Sequence, residues 1–431
     1  MTKCCNKGNT DKTSDACADV TVACSLKINS AVGNTKPDCP ITYFSSQVEN
    51  CLDYADARKK EGAKIVGIMC EYTPREIIMA ADGVPVCLCG GSAEMAESAE
   101  KVLPSNLCPI IKSTFGYSLE EENPFLEMSD LLVAETTCDG KKKMYELLAE
   151  RHPLYVLELP QKPDDRDAFI HWEAELHKLK GALEKQFSTI ITDKKLRDAI
   201  FVMNRERKLK RELAALMKSE NPPLAGRELL EMKSLISAIP GDLEQYEKAL
   251  IMLNGRAINP SAESRVRVML TGVPLPHGAE RVMEIIEDSG GLVVCQENCT
   301  GLKHVQEDVD ETADDPVHAL AEKYFHLPCS VMTRNQGRID QLRALAGEYR
   351  VECVIELIWQ ACLTYDVESS WVKRLAEDEL NLSYLRIETD FSPSDSARIA
   401  LRVQSLYETV KGRKVFNDAL VKNQNSPFYG L

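Results

Sequence analysis

The chain has 431 residues, 16 of them cysteine, and a formal net charge of −15, a length that supports two or three domains with full cores. An acidic chain without a basic stripe is a poor match to nucleic-acid phosphate, which is bound by clustered Lys and Arg, and suits a basic protein partner better. No apolar run reaches the ~18 residues of a membrane helix, and the polar opening MTKCCNKGNTDKTSDACADV lacks the apolar core of a secretory signal, so the expected location is the cytoplasm, where thiols stay reduced.

Residues 1–40 read as a Cys-rich polar tail without sustained periodicity. A helix is expected from about residue 41 through VENCLDYADARKKEG. Four short apolar runs follow: KIVGIM (64–69), VPVCLC (84–89), LLVAET (131–136) and LYVLEL (154–159). Each has the length of a buried parallel strand, and helical patterns such as PREIIMAADG separate them. Residues 41–187 therefore form a first α/β domain, closed by the helix DAFIHWEAELHKLKGALEKQF. Residues 188–258 read as a helical connecting segment broken at SENPPLAG. Residues 259–431 repeat the first plan, with runs VRVMLTG (266–272), LVVCQ (292–296), CVIELIW (353–359) and YLRIETD (384–390), ending in the helix SDSARIALRVQSLYETVKG. The expected fold is α/β: two similar doubly wound, flavodoxin- or Rossmann-like parallel-sheet domains joined by a helical segment.

Open α/β sheets bind ligands beyond the carboxyl ends of their strands. Cys70 ends the first run, Cys138 follows the third, and Cys108 lies in the crossover between them. In the second half, Cys299 follows the second run, Cys362 the third, and Cys329 lies in the crossover. Each half thus offers three cysteines to one edge of its sheet. Three thiolates per site fit an iron–sulfur cubane one ligand short of four. Structural zinc prefers four ligands and close C-x-x-C pairs, which are absent at these positions; six buried apolar thiols remain the bland alternative. Cys87, Cys295 and Cys353 lie inside apolar runs and Cys51 in the opening helix, all expected in the core. Cys89, at a strand end before two glycines, reads either way. The tail cysteines match no ligand spacing.

The segments CEYTPREIIMAADGVPV (70–86), LCPIIKS (107–113) and TTCDGKKK (136–143) resemble the 2-hydroxyacyl-CoA dehydratase and benzoyl-CoA reductase family, as do ENCTGLK, PCSVMTRNQGR and QACLTYDVESSWVKRLAEDELNLSYLRIETDFS. The likeness covers roughly residues 41–412. It implies iron–sulfur clusters and a separate ATP-hydrolysing iron–sulfur reductase that supplies low-potential electrons. Three placed cysteines in both halves look most like the double-cubane branch, in which a homodimer carries an [8Fe-9S] cluster in each chain. That resemblance assigns Cys70, Cys108 and Cys138 to one cubane and Cys299, Cys329 and Cys362 to the other, either bridged or as two [4Fe-4S] clusters. Gly272 stands at the C-half position equivalent to Cys70, so the triads are not strictly symmetric.

Cations near an anionic cluster raise its potential; Lys112 and Lys141 to Lys143 follow cysteines here. His277 and His304 lie where a ligand would sit and could pass protons to a small-molecule substrate, or could simply pack. Arg334 and Arg338 could fix an anion or pair with surface acids. There is no G-x-x-x-x-G-K-[ST] phosphate loop, so ATP hydrolysis belongs to a partner. The expected activity is an iron–sulfur reductase acting on a small unsaturated molecule. The alternatives are a 2-hydroxyacyl-CoA dehydratase subunit, which is a lyase, and a non-catalytic electron carrier.

Overall fold

The computed structural model describes residues 39–254 and 265–424; the expectations for the tail to residue 38 and for residues 255–258 lie outside them. The first four apolar runs form strands β1 (Lys64–Ile68), β2 (Gly83–Cys87), β3 (Leu131–Glu135) and β4 (Leu154–Leu157). The second four form β5 (Val266–Gly272), β6 (Gly291–Glu297), β7 (Cys353–Trp359) and β8 (Ser383–Thr389). They build two all-parallel sheets of identical topology, β2-β1-β3-β4 and β6-β5-β7-β8. Parallel strands must be covered on both faces, which is why they read as continuous apolar runs rather than as alternation. In β1, Ile65 faces one apolar cluster and Val66 another. The chain belongs to the α/β class, with two similar domains.

The opening helix is two helices, Pro40–Phe44 and Gln47–Lys60, rather than one. Tyr43 and Gln47 both donate to the Asp242 carboxylate, at 2.9 and 2.5 Å, tying the turn between the two helices to the connecting segment. That segment contains helices Asp193–Ala215, Gly226–Glu231 and Pro240–Asn254. Between the last two, the Cys87 amide donates to the Leu235 carbonyl at 2.8 Å, extending the edge of the first sheet.

One apolar cluster is shared by both sheets. It joins Leu132 and Ala134 of β3 to Val268 and Leu270 of β5 and to Ile355 and Leu357 of β7. The halves also touch at the strand ends, where a Cβ on Gly91 would lie 2.4 Å from the His277 carbonyl oxygen. On the far side, helix Arg166–Phe187 of the first half packs on helix Pro316–Phe325 of the second, with Phe169 edge-on to Phe325 at 5.8 Å.

Strand register shows how the repeat aligns. Val66 pairs with Leu131, the first residue of β3, and Val268 with Cys353, the first of β7. Four residues further on stand Cys70 and Gly272. Gly272 has φ +104°, and a Cβ there would lie 2.1 Å from the Leu357 carbonyl. No cysteine fits that position, so the second half places its ligand-type residue elsewhere.

Candidate functional site

In each sheet the strand order reverses between the first and third strands, and the carboxyl ends there open a crevice. The two crevices meet in one cavity of about 740 Å3. Cys70, Cys108, Cys138, Cys299, Cys329 and Cys362 all line it.

Three of these residues occupy helix N-caps. Cys108 precedes helix Pro109–Glu120, Cys138 precedes Asp139–Leu148, and Cys362 precedes Leu363–Arg374. The first N–H groups of a helix have no intrahelical partner and form its positive end, which favours a thiolate. The backbone N–H groups of Ile110 and Ile111 pull the Cys108 pKa down, as that of Lys141 does at Cys138 and that of Tyr365 at Cys362.

Thiols of the two halves interact electrostatically with one another. Cys362 lowers the pKa of Cys108 and Cys108 raises that of Cys362, and Cys138 lies within electrostatic reach of both. Cys70 and Cys299 interact with each other and with Cys329. Cys138 and Cys329 are also in electrostatic reach of each other.

Burial pushes the Cys70 thiol up to about 12 and the Cys138 and Cys299 thiols above their usual range, against the pull of Lys141 at the first two and Lys303 at the third. Buried soft donors of this kind stay protonated unless a cation takes them as thiolates. Six converging thiols, helix N-termini, the half-buried Lys141 and the buried Lys303 fit an iron–sulfur group.

Lys141 is half-buried and donates to the Met69 carbonyl; burial opposes its charge, but Tyr145, Cys70, Cys89 and Glu135 hold its pKa well above the usual value. Lys303 donates to the Tyr365 hydroxyl at 2.7 Å and lies 3.2 Å from Glu297. Lys112 is not at the cavity: its ammonium is held by Glu100 at 2.6 Å and the Ser105 carbonyl at 3.0 Å, because it points to the opposite flank of its helix. Lys142 and Lys143 pair with Asp139 and Glu146 in solvent. Arg334 is exposed. Arg338 is fully buried and bound to Glu297, Glu356 and Glu368, so it braces carboxylates beneath the C-half strand ends instead of holding a ligand.

His277 and His304 both line the cavity. Burial, reinforced at His277 by Lys233, pushes each down to about 4; Glu71 opposes the shift at His304. Both rings are neutral at pH 7, and His277 Nε2 and His304 Nδ1 have no hydrogen-bond partner among the described residues. Two cavity cysteines went unassigned in the sequence. Cys87, expected in the core, and Cys89, whose thiol donates to the Met69 carbonyl at 3.5 Å, both face the cavity. The short spacing Cys-x-Cys at a strand end was the available signal. Cys295, Cys353 and Cys51 are buried as expected.

Residues 70–410 match the family model of the 2-hydroxyglutaryl-CoA dehydratase D-component. The chain is 39% identical over 364 residues to a putative dehydratase subunit, YjiM, of Escherichia coli K12, covering 81% of this chain and 92% of that protein. It is 24% identical over 375 residues to the (R)-phenyllactyl-CoA dehydratase beta subunit of Clostridium sporogenes, covering 85% and 97%. It is 26% identical over 315 residues to a subunit of the benzoyl-CoA reductase of Thauera aromatica, covering 70% and 78%.

Proposed function

The chain belongs to the 2-hydroxyglutaryl-CoA dehydratase D-component family, and from that premise we propose that it is an iron–sulfur reductase. In this reading it takes low-potential electrons from an ATP-hydrolysing iron–sulfur partner and reduces a small unsaturated molecule. The observation that carries the reading is the convergence of six cysteines, three from each half, on one cavity. Cys108, Cys138 and Cys362 would hold one cubane, and Cys70, Cys299 and Cys329 the other. Bound there, the clusters would supply one-electron transfers at low potential. Lys141 and Lys303 offset their negative charge. His277 and His304, neutral and with free ring nitrogens, would hold a substrate or a proton beside the clusters. ATP hydrolysis falls to the partner, since the sequence has no phosphate loop. We place the protein in the cytoplasm as a homodimer.

The second reading is a dehydratase subunit with a single [4Fe-4S] cluster. It is favoured by the names of relatives such as the (R)-phenyllactyl-CoA dehydratase beta subunit. Iron and sulfide counts with electron paramagnetic resonance on anaerobically purified protein separate the two. The reductase reading expects about eight irons per chain, two cubanes' worth. About four irons, with the other three thiols freely alkylated, would put the dehydratase reading in its place. An iron-free protein would overturn both.

A further inference from the structure

The second half holds another, smaller cavity of about 340 Å3 that shares no lining residue with the cysteine cavity. It is bounded by helix Pro316–Phe325, helix Gln336–Glu348 and the loop that follows Cys299. Lys303, Gln306, Lys323, Leu327 and Pro328 line it, and Glu307 and Gly337 stand exposed at its rim. Lys323 is the residue that calls for a ligand. It is only 7% exposed. Its ammonium donates to the His304 carbonyl at 2.9 Å and lies 4.6 Å from the centre of the Tyr324 ring. Among the described residues it has no carboxylate partner. The acids that reach it electrostatically are already committed, Glu76 to Arg207 and Glu71 to Arg75 at 2.9 Å. Lys303, the other ammonium at this pocket, is matched by Glu297 at 3.2 Å. A buried ammonium without a counter-ion is costly. Burial, reinforced by Arg207, accordingly pushes the Lys323 pKa down to about 7.

We propose that this pocket binds a small organic carboxylate, with its anionic end on the Lys323 ammonium and its short apolar part against Leu327 and Pro328. The volume stands at the lower end of small-molecule sites, which combine an apolar lining with a few polar groups that fix orientation. The carboxylate supplies the counter-charge that the surrounding ion pairs do not. A charge-assisted hydrogen bond in a buried site is among the stronger single contacts a protein can offer a ligand. The ligand also rests on the turn that carries Cys329: the Leu327 carbonyl accepts from the Tyr72 hydroxyl at 3.1 Å and from the Cys329 amide at 2.8 Å. The site stands on its own geometry and holds whichever cluster the cysteine cavity takes.

The test is calorimetric titration of the full chain, purified anaerobically with whatever iron it carries, using propionate as the probe. One equivalent should bind at pH 7. Lys323→Met keeps the length and burial of the side chain and removes the charge, and it should weaken binding at least ~10-fold, the loss of one hydrogen bond to a charged group. Gly337→Leu is the second variant. A Cβ at Gly337 meets nothing within 4 Å, so the helix accepts the substitution while the side chain crowds the rim, and propionate should bind less tightly with iron content unchanged. Binding needs Lys323 protonated. With its free pKa at about 7, the affinity should fall as the pH rises, approaching about tenfold per unit well above 7, and should stay flat in Lys323→Met. Inorganic phosphate, which has no apolar part for Leu327 and Pro328, should bind at least ~10-fold more weakly than propionate, the worth of about two buried methylene groups. No propionate binding by the natural protein at about 10 mM, beyond the weakest affinities of specific sites, would overturn the site. So would unchanged binding in Lys323→Met, or phosphate binding as tightly as propionate.

Discussion

A cysteine at a helix N-cap is a weak capping residue, because sulfur accepts hydrogen bonds less well than the oxygen of Ser or Asp. Three cysteines stand at N-caps around one cavity, and none of their side chains makes a cap hydrogen bond; on the proposed reading their sulfurs serve the cluster. Cys138→Ser should therefore lose iron although the hydroxyl is an equal or better cap. Cys353→Ser should keep its iron: Cys353 is fully buried inside β7, away from the cavity, so the new hydroxyl costs about 1–3 kcal/mol of stability and nothing at the site. Equal iron loss in both, measured after anaerobic purification, would show that the contrast between strand end and strand interior has no force. The cavity histidines give a second expectation. Both fold as neutral rings with pKa near 4, below the ordinary 6.5. The unfolded chain then binds more protons between pH 6.5 and 4, so stability is full above pH 6.5 and falls as the pH drops toward 4. Each ring accounts for on the order of 1–3 kcal/mol across that interval. Denaturation midpoints at pH 7 and pH 5 should differ by less in His304→Gln than in the natural protein; an unchanged difference would mean the ring is not held neutral by its surroundings. His277 and His304 were legible as cavity residues because each follows a strand end closely. Lys112 was misread for the same reason, since adjacency to Cys108 in sequence says nothing of which flank of the helix a side chain takes, and Glu100 decides it.

Among the elements, the strands were the most legible, because burial on both faces forces an unbroken apolar run and all eight runs became strands. Cys87 shows the limit of that signal. A run that is apolar throughout does not reveal where the sheet ends and the cavity begins. The helix that presents Cys108 depends on one close contact. A Cβ on Gly116 would lie 1.9 Å from the Met95 carbonyl oxygen, so helices Ala93–Ala99 and Pro109–Glu120 approach as only glycine permits. Gly116→Ala must push the two backbones apart and should cost about 1–3 kcal/mol or more, the range of overpacking in a dense core. Because Cys108 starts the displaced helix, its iron content should fall as well. Gly181→Ala is the control: it lies mid-helix with nothing within 4 Å of the new methyl, and should gain up to about 1 kcal/mol from helix propensity. Thermal midpoints that move the same way in both variants would refute the close-contact argument.

At the scale of the whole molecule, the halves are repeats in topology but not in chemistry. Gly272 stands where the first half has Cys70, and the backbone of Leu357 forbids a side chain there. One strand over, Cys299 of the second half lies within electrostatic reach of Cys70. The sequence carried both triads as lists of positions but not the single cavity they share, because docking of one sheet on the other is a long-range event with no local signature. The proposed grouping of Cys108, Cys138 and Cys362 apart from Cys70, Cys299 and Cys329 makes a sharp expectation for double variants. Residues that hold one cluster act as a unit, so a second loss within a set adds little to the first, whereas losses in different sets add. Cys108→Ser and Cys362→Ser, from opposite halves, should each lower iron from about eight to about four per chain, and the double variant should remain near four. Cys108→Ser combined with Cys299→Ser should leave almost none. Grouping by half predicts the reverse for the first pair, since Cys108 and Cys362 would then belong to different clusters and their joint loss would empty the cavity. Iron and sulfide counts on these four proteins decide between the two arrangements, and a near-empty Cys108→Ser, Cys362→Ser double variant would restore the division by half.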